Sequence, residues 1–206
     1  MTVEVEPKKL AAHAPHVEFR KKYNLVPANH PLLRTKLEIF DFKNPPTDPE
    51  ELGLDLLAHM RHFGGIGLSA NQLGLPYRVF CTEGEPGFVC FNPRITAFAG
   101  EPRLLDEGCL SYPGLYIKKK RPDMIRVRFF TPTGQPVVKR FNGVTSRIFQ
   151  HECEHLDGES YLEDVDSLVL QRARKKQQNL LKRVRRQVEG RGKHSKGKKS
   201  RKNKRR

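Results

Sequence analysis

Two histidines four residues apart, with a glutamate between them, are the part of the sequence best suited to chemistry. Residues 150–155 read Gln-His-Glu-Cys-Glu-His. In a helix, His151 and His155 lie one turn apart, and both imidazoles point to one place beside the axis. Two neutral imidazoles so placed can hold a divalent metal, and Glu152 can then take a proton from water and return it to a leaving group. The pattern predicts hydrolysis.

A cysteine elsewhere in the chain is a candidate third ligand. Two imidazoles leave a tetrahedral ion two ligands short, and a thiolate fills one position while the other stays free for water. Cys109 lies in Glu-Gly-Cys-Leu-Ser, where we expect a strand to end. Two plainer interpretations stay open on these residues alone. The helix can merely contain two histidines, and Cys109 can be a small buried hydrophobe.

A glycine-rich turn offers a further polar group. Residues 65–72 read Gly-Ile-Gly-Leu-Ser-Ala-Asn-Gln. They are not a phosphate loop, because no Gly-Lys-Ser/Thr follows, and Ala70 occupies the place of the last glycine of a dinucleotide fingerprint. Small residues would let a substrate backbone approach closely, with Gln72 donating a hydrogen bond. An ordinary surface turn is the alternative.

The segment that carries the two histidines has the signals of a buried helix. Gly158 follows it and can close a helix in a left-handed conformation. A helix that is apolar on several sides is a buried one. The apolar residues, on the histidine face and beside it, are Val144, Ile148, Phe149, Cys153 and Leu156.

The rest of the body predicts an α+β fold. A first helix begins at Asp48, with Pro49 at its first position and Glu51 three residues past the cap, and ends at Gly64 and Gly65. The period then changes to that of strands. We expect antiparallel β-sheets packed around the central buried helix that carries the His-Glu-x-x-His motif. The predicted strands are Tyr77–Thr82, Phe88–Asn92, Ile125–Phe129 and a hairpin partner near Val137.

The net charge of the chain is concentrated at one end. The chain has 206 residues and a formal net charge of +16. From residue 171 onward, eighteen Lys and Arg stand against one acid, a net of +17, so residues 1–170 carry −1. We predict four parts. They are a polar lead-in at 1–29, a metallohydrolase domain at 30–166, a basic amphipathic helix at 167–190 and a disordered polybasic tail at 191–206.

The cysteines and the distribution of apolar residues bear on the compartment. Residues 1–10 are polar, unlike a secretory signal, and no stretch approaches the roughly 20 apolar residues of a membrane span. We therefore expect a cytoplasmic protein whose four cysteines are thiols or metal ligands rather than disulfides. We also expect a monomer.

Three of these segments together resemble the motifs of peptide deformylase. That family carries a Gly-x-Gly-x-Ala-Ala-x-Gln loop, a Glu-Gly-Cys-x-Ser segment and a Gln-His-Glu-x-Asp-His helix, in this order. Here they are residues 65–72, 107–111 and 150–155, within a resemblance that runs from about residue 30 to 163. Ser69 replaces the first Ala of the loop and adds a hydroxyl. Glu154 replaces the Asp between the histidines and lengthens the side chain by one methylene.

The resemblance implies an activity, a metal site and catalytic groups. The chain would remove the formyl group from the N-terminal formylmethionine of nascent polypeptides and release formate, by attack of a metal-bound hydroxide. Glu152 would act as base and then as acid, and the side chain of Gln72 and the backbone N–H of Leu110 would stabilise the oxyanion. The ion would be Fe²⁺ in the cell, with Zn²⁺ or Ni²⁺ possible in a purified sample. The implied metal ligands are Cys109, His151 and His155.

The same resemblance suggests how the site is supported and how it binds substrate. Glu107 would accept a hydrogen bond from a ligating imidazole or pair with a buried Arg, and a surface acid is the alternative. The substrate backbone would add as a strand against Gly67 and residues 110–114, including Gly114. An apolar pocket for methionine would be formed by Ile66, Tyr112 and Ile148, which can equally be ordinary core residues.

The basic C-terminal segment predicts a partner that carries phosphate. A thin apolar stripe among basic residues predicts an amphipathic helix that ends at Gly190. For an enzyme acting on nascent chains we expect ribosomal RNA, where bacterial members of the family dock a C-terminal helix, and binding should weaken with salt. A solubility tail and an anionic membrane contact are the alternatives. The tail residues assigned to nucleic acid are Lys193, Lys196, Lys198, Lys199, Arg201, Lys202, Lys204, Arg205 and Arg206.

Two other functions compete with deformylation. A zinc peptidase that cleaves internal peptide bonds explains the two histidines but not residues 65–72 or 107–111. An RNA-binding protein on an inactive scaffold explains the tail, but not why all the catalytic residues are present. Neither of these two proteins would release formate from a formylated peptide, whereas a deformylase would.

Overall fold

The structure of the chain is a computed structural model that describes residues 21–84 and 87–202, with side chains as far as residue 187. Residues 1–20 of the predicted lead-in, and Lys204, Arg205 and Arg206 of the predicted tail, lie outside these ranges. Among the described residues, no helix is both long enough and apolar enough to cross a bilayer.

The first helix, α1 (Pro49–His62), begins where the sequence predicts. The side chain of Asp48 accepts hydrogen bonds from the backbone N–H groups of Glu50 and Glu51, at 2.9 and 2.8 Å. These bonds satisfy two of the donors that a helix start leaves free. Three apolar side chains of the helix are fully or almost fully buried against the sheet, Leu52, Leu56 and Met60.

Within the described residues, seven strands form two antiparallel sheets, and the predicted α+β fold is confirmed. The larger sheet has five strands in the order β1, β2, β3, β6, β7, and the smaller is a hairpin of β4 and β5. The strands are β1 (Gly67–Ser69), β2 (Val79–Thr82), β3 (Phe88–Ala99), β4 (Arg103–Gly108), β5 (Tyr116–Arg121), β6 (Met124–Phe130) and β7 (Pro136–Asn142).

Strand β3 continues well beyond the predicted end at Asn92. Asn92 has a positive φ of 50°, and the register with β6 shifts between Phe91 and Arg94. Pro93 has no N–H to donate to a neighbouring strand, so the sequence predicts that the strand ends there. The structure instead has a β-bulge at this position. The side chain of Asn92 holds the bulge by accepting from the N–H of Phe40 at 2.7 Å and donating to its carbonyl at 2.9 Å.

Helix α2 (Gly143–Asp157) is the central buried helix that the sequence predicts. On the side that faces the larger sheet, Phe149 packs edge-to-face on Phe80 of β2, with ring centroids 4.9 Å apart. This contact and the fully buried Leu156 fix α2 on the sheet. The histidine side of α2 therefore faces the β4–β5 hairpin.

Gly158 ends α2 in a left-handed conformation, with φ of 78°. A Cβ added there would lie 2.8 Å from the carbonyl carbon of Thr35 and 3.0 Å from the carbonyl oxygen of Arg34. We expect Gly158→Ala to lower the free energy of unfolding by about 2–4 kcal/mol, because backbone strain and overlap with a backbone add together.

Gly64 is the matched control for that substitution. It follows α1 with φ of 69°, but a Cβ there would meet nothing within 4 Å. Gly64→Ala should therefore lower the free energy of unfolding only by the cost of backbone strain, about 1–2 kcal/mol. Equilibrium unfolding in urea measures both variants. Equal losses would show that the contact of Gly158 with residues 34 and 35 is unimportant.

The last helix, α3 (Ser167–Lys202), is longer than the sequence analysis allowed. Asp166 begins it by accepting from the N–H of Leu168 at 2.9 Å and of Val169 at 3.1 Å. The helix continues past Gly190, where the sequence analysis places its end, as far as residue 202. A glycine lowers helix stability by only about 1 kcal/mol relative to Ala, and a helix that is already nucleated extends readily through Lys and Arg.

The folded body also begins earlier than the predicted boundary at residue 30. The N–H of Tyr23 donates to Nε2 of His59 at 3.0 Å, and the N–H of Val26 donates to the carbonyl of Gln72 at 2.9 Å. These bonds tie the end of the lead-in to α1 and to the glycine-rich turn. Residues 23–26 are therefore part of the surroundings of Gln72.

Candidate metal centre and active site

Helix α2 and the loop after β4 bring Cys109, His151 and His155 together. Their ligand atoms all lie within 4.8 Å of one another. Sγ of Cys109 is 3.1 Å from Nε2 of His155, and Nδ1 of His151 lies 3.4 Å from Glu107, which leaves its Nε2 for the shared point. A thiolate and two buried imidazoles are a donor set that fits a divalent transition metal or zinc. The three predicted ligands are thus adjacent in the structure.

The two imidazoles differ in their protonation. Burial opposes the charged form of His151, but hydrogen bonds with Cys109 and Glu107 raise its pKa to about 10. Burial lowers the pKa of His155 well below its ordinary value, and the adjacent His151 lowers it further. An imidazole ligates a metal only in its neutral form, so a metal ion at this site would compete with a proton for His151.

Glu152 is almost completely buried beside the cluster, and burial raises its pKa. The hydroxyl of Ser69 donates to Oε2 of Glu152 at 2.7 Å. A Cβ on Gly67 would overlap Oε1 of Glu152 and would lie 2.8 Å from Cγ2 of Ile148. The glycine is therefore needed to leave room for the carboxylate, and Ser69, a departure from the family pattern, orients it.

A chain of ion pairs supports the three candidate metal ligands. Arg121 donates to Glu107 at 2.6 and 2.9 Å and to Glu154 at 2.6 and 2.8 Å, and Arg147 also donates to Glu107. Burial alone would raise the pKa of Glu107, but its hydrogen bonds with His151 and Arg121 lower it to about 2. Glu107 thus makes both contacts predicted for it. The longer side chain of Glu154 still reaches a buried guanidinium.

Gln72 has a fixed side-chain amide that faces the three candidate metal ligands. Its Oε1 accepts from the N–H of Ser69 at 2.9 Å, which sets the orientation of the amide. Its Nε2 then lies 3.4 Å from Sγ of Cys109 and donates to Oγ of Ser111 at 3.0 Å. An amide held in this way is a donor already aimed at the site.

A cleft of about 590 Å³ opens onto Cys109, His151 and Glu152. The five residues predicted to bind substrate all line it, and so does Leu110. Val144, expected to be part of a buried face of α2, is 61% exposed and lies in the cleft wall instead. Pro113, within the predicted strand-pairing residues 110–114, also lines the cleft. Cleft residues that the sequence did not suggest include Phe63, Leu105, Leu115 and Tyr116.

Two groups of the site were missed by sequence reasoning. Ser69 was noted as a departure, but its contact with Glu152 spans 83 positions along the chain. Arg121 carried a weak signal, because it lies on the same face of β5 as the buried Ile117 and so points inward. A buried Arg was predicted as a partner of Glu107, but no pattern identified that Arg as Arg121 or indicated that Glu154 would also contact it.

Comparison with known proteins agrees with the geometry of the site. The family model for polypeptide deformylase matches residues 22–171. The chain belongs to the polypeptide deformylase family. The deformylase is a metal-dependent hydrolase, and its activity is the removal of the N-formyl group from nascent polypeptides.

Individual relatives align with most of the length of this deformylase. The peptide deformylase of Desulforudis audaxviator is 34% identical over 143 residues, which are 68% of this chain and 92% of the relative. Peptide deformylase 1B, chloroplastic/mitochondrial, of Arabidopsis thaliana is 33% identical over 181 residues, 84% of this chain and 64% of the relative. The chain is similar in structure to a peptide deformylase of Synechococcus elongatus in complex with actinonin, with a TM-score of 0.70, 28% identity, and coverage of 85% of this chain and 94% of that one.

Proposed function

We propose that deformylation by this chain uses Cys109, His151 and His155 to hold one divalent metal ion and Glu152 to transfer the proton. The observation that carries the proposal is the convergence of three ligand atoms within 4.8 Å beside an almost completely buried carboxylate. When bound, the ion supplies Lewis-acid activation of water and of the formyl carbonyl.

Glu152 then balances the protons of the reaction. Its carboxylate takes a proton from the attacking water, whose oxygen forms a bond to the formyl carbon. As the carbon–nitrogen bond breaks, Glu152 returns that proton to the departing nitrogen, so the products are formate and a free N-terminal amine. A buried carboxyl with a raised pKa suits both steps, and Ser69 keeps it in one orientation during them.

Gln72 and Leu110 would stabilise the negative charge on the formyl oxygen. Ser69 holds the oxygen of the Gln72 amide, and its nitrogen donates to Ser111 and Cys109. The N–H that now faces Cys109 would donate to the formyl oxygen instead. The backbone N–H of Leu110 is the proposed second donor, in the residue after the ligand Cys109. One donor of this kind contributes about 3 kcal/mol in the transition state.

The cleft supports recognition of a formylmethionyl peptide. We propose that Gly67 and residues 110–114 pair with the substrate backbone as an added strand, which is how many proteins bind extended peptides. Ile66, Tyr112 and Ile148, all in the cleft wall, would enclose the methionine side chain. We propose that the enzyme is a monomer, because the proposed chemistry needs no residue beyond the metal ligands, Glu152 and these walls.

We propose Fe²⁺ as the ion in the cell, as the family resemblance implies, with Zn²⁺ or Ni²⁺ after purification in air. One thiolate and two imidazoles bind any of these ions. The four free cysteines favour a reducing compartment, which would also preserve ferrous iron, and we propose the cytoplasm. Elemental analysis of protein prepared without oxygen should find about one iron per chain.

An assay of two peptides tests the activity against the rival peptidase. The metal-loaded chain should release formate from formyl-Met-Ala-Ser and leave the internal bonds of a longer unblocked peptide intact. A peptidase of the His-Glu-x-x-His type would cut internal bonds of longer unblocked peptides and release no formate. Cleavage without formate would refute the proposal, and formate release would exclude an inactive RNA-binding scaffold.

We propose that α3 and the tail bind ribosomal RNA. Residues 167–187 include eight Lys and Arg and no acid, and ten more basic residues follow between 191 and 206. The described basic side chains of α3 are largely exposed, as phosphate contacts require.

Deleting residues 191–206 should reduce co-sedimentation with ribosomes at low salt, and the wild-type chain should itself detach as salt rises. The control is a chain of full length in which the ten basic residues of that segment are Gln, which should behave like the deletion. Pelleting that is the same for all three chains would contradict the proposal. Binding to anionic vesicles with no preference for ribosomes would favour the membrane alternative.

A further inference from the structure

The loop between β4 and β5 has two tasks in the proposed site. It carries the metal ligand Cys109, and its following residues from Leu110 to Leu115 include most of one wall of the cleft. Inside the loop, the N–H of Tyr112 donates to the carbonyl of Cys109 at 2.9 Å, and the N–H of Leu115 donates to that of Tyr112 at 3.1 Å. Two short backbone bonds alone do not fix such a loop against its surroundings.

Helix α3 contacts this loop at Pro113 and Gly114. Nε2 of Gln177 donates to the carbonyl of Pro113 at 2.8 Å. Cδ2 of Leu180 lies 3.2 Å from the position of a Cβ on Gly114, so the two segments are in close contact. Gln177 and Leu180 are three residues apart and lie on the same side of the helix.

The other contacts of the loop come from the body of the enzyme. Tyr161 donates to the carbonyl of Leu115 at 2.9 Å, Arg34 to the hydroxyl of Tyr112 at 3.2 Å, and Gln72 to Oγ of Ser111 at 3.0 Å. None of these hydrogen bonds reaches Pro113 or Gly114. In the described part of the chain, the side-chain hydrogen bond to the carbonyl of Pro113 comes from α3.

We propose that α3 is part of the substrate-binding site, with Gln177 and Leu180 as positioning residues that hold Pro113 and Gly114 in place to pair with the substrate backbone. The inference rests on the proposed binding of substrate to residues 110–114. His151, His155 and Glu152 lie on α2. Cys109 and Leu110 lie at the start of the loop, where Gln72 contacts Cys109 and Ser111, whereas Gln177 and Leu180 contact the loop at Pro113 and Gly114. Loss of the α3 contacts should therefore weaken peptide binding and leave the chemical step unchanged.

The test uses two variants and two matched controls in the full-length, metal-loaded enzyme. Gln177→Glu keeps the shape of the side chain but removes the N–H donor, and Leu180→Ala removes the contact with Gly114. Gln178→Ala and Leu181→Ala alter the next residues of the same helix, whose side chains are exposed. Thermal unfolding and metal content establish that every variant is folded and loaded.

The readouts are kcat and KM for formate release from substrates of two lengths. For formyl-Met-Ala-Ser we expect KM to rise about fivefold in each single variant and about tenfold or more in the double variant, with kcat within twofold of wild type. For formyl-Met amide, which is too short to reach Gly114, KM should stay within twofold. A purely structural defect would alter both substrates alike.

Several results would overturn the inference. A double variant whose KM for the tripeptide stays within twofold would show that α3 does not position the loop, while formate release by the wild type would leave deformylation intact. Equal rises for the two substrates, or in the controls, would also refute it. A wild-type chain that releases no formate would refute the proposed function, and the inference with it.

Discussion

Replacing Glu152 by Ala should lower kcat for formate release by about 10²–10⁴-fold, the range that general acid–base catalysis supplies. Glu152→Gln should have a similar effect, because it keeps the size of the side chain but cannot carry the proton. The metal content should stay at the wild-type value, since Cys109, His151 and His155 are unchanged. Kinetics of formate release and elemental analysis on the same samples measure the two quantities.

Glu159→Gln is the control for this prediction. Glu159 is an exposed acid that follows the end of α2, four residues beyond the last ligand. Its replacement should leave kcat within twofold of wild type. Survival of more than a tenth of the activity in Glu152→Gln, with metal content unchanged, would contradict the role of Glu152 as the proton carrier.

Replacing Cys109 by Ala should weaken metal binding by more than about 100-fold and abolish formate release. Groups that only support a ligand are worth about 10–100-fold in metal affinity, so loss of a ligand should exceed that range. The measurement is competition with a chromogenic chelator, followed by the formate assay at saturating metal. Activity that recovers fully in excess metal would show that the thiolate contributes affinity alone.

Cys90→Ala is the matched control for the thiolate. Cys90 is fully buried in the core between the sheet and α2, and burial raises its pKa well above the ordinary value. A neutral buried thiol is a poor ligand, so its loss should leave metal affinity unchanged. Tight binding of one metal ion per chain by Cys109→Ala would refute the three-ligand site.

The parts of the site that could be predicted are those encoded in local pattern. The spacing of His151 and His155 fixes which side of α2 they share, and Asp48 and Gly158 mark helix ends by their own chemistry. Cys109 could be nominated as a ligand because a metal with two imidazoles needs another donor. In each case a single segment, or the coordination chemistry of an ion, contained the information.

The supporting contacts could not be predicted, because they join segments far apart. Arg121 meets Glu107 and Glu154 only after the β4–β5 hairpin has packed beside α2, and no periodicity specifies a partner across that distance. The hydroxyl of Ser69 finds Glu152 in the same way. Periodicity tells which face of an element is buried, and the tertiary fold decides what that face meets.

The end of α3 differs from the prediction for a different reason. Glycine closes α2 at Gly158, and the same signal predicts a helix end at Gly190. At Gly158 the chain must turn beneath Arg34 and Thr35, whereas α3 continues as helix beyond Gly190. A glycine therefore signals a helix end only where the tertiary structure also requires the chain to turn.

The length of α3 sets the reach of the enzyme. At 36 residues the helix is about 54 Å long, and about 33 Å of it extends beyond Leu180, where it touches the cleft loop. If the far end of α3 were anchored, the active site would move within a small volume around that anchor. A nascent N-terminus emerging inside this volume would meet the catalyst at a high effective concentration, so capture would depend on tether geometry as well as on intrinsic affinity for the peptide.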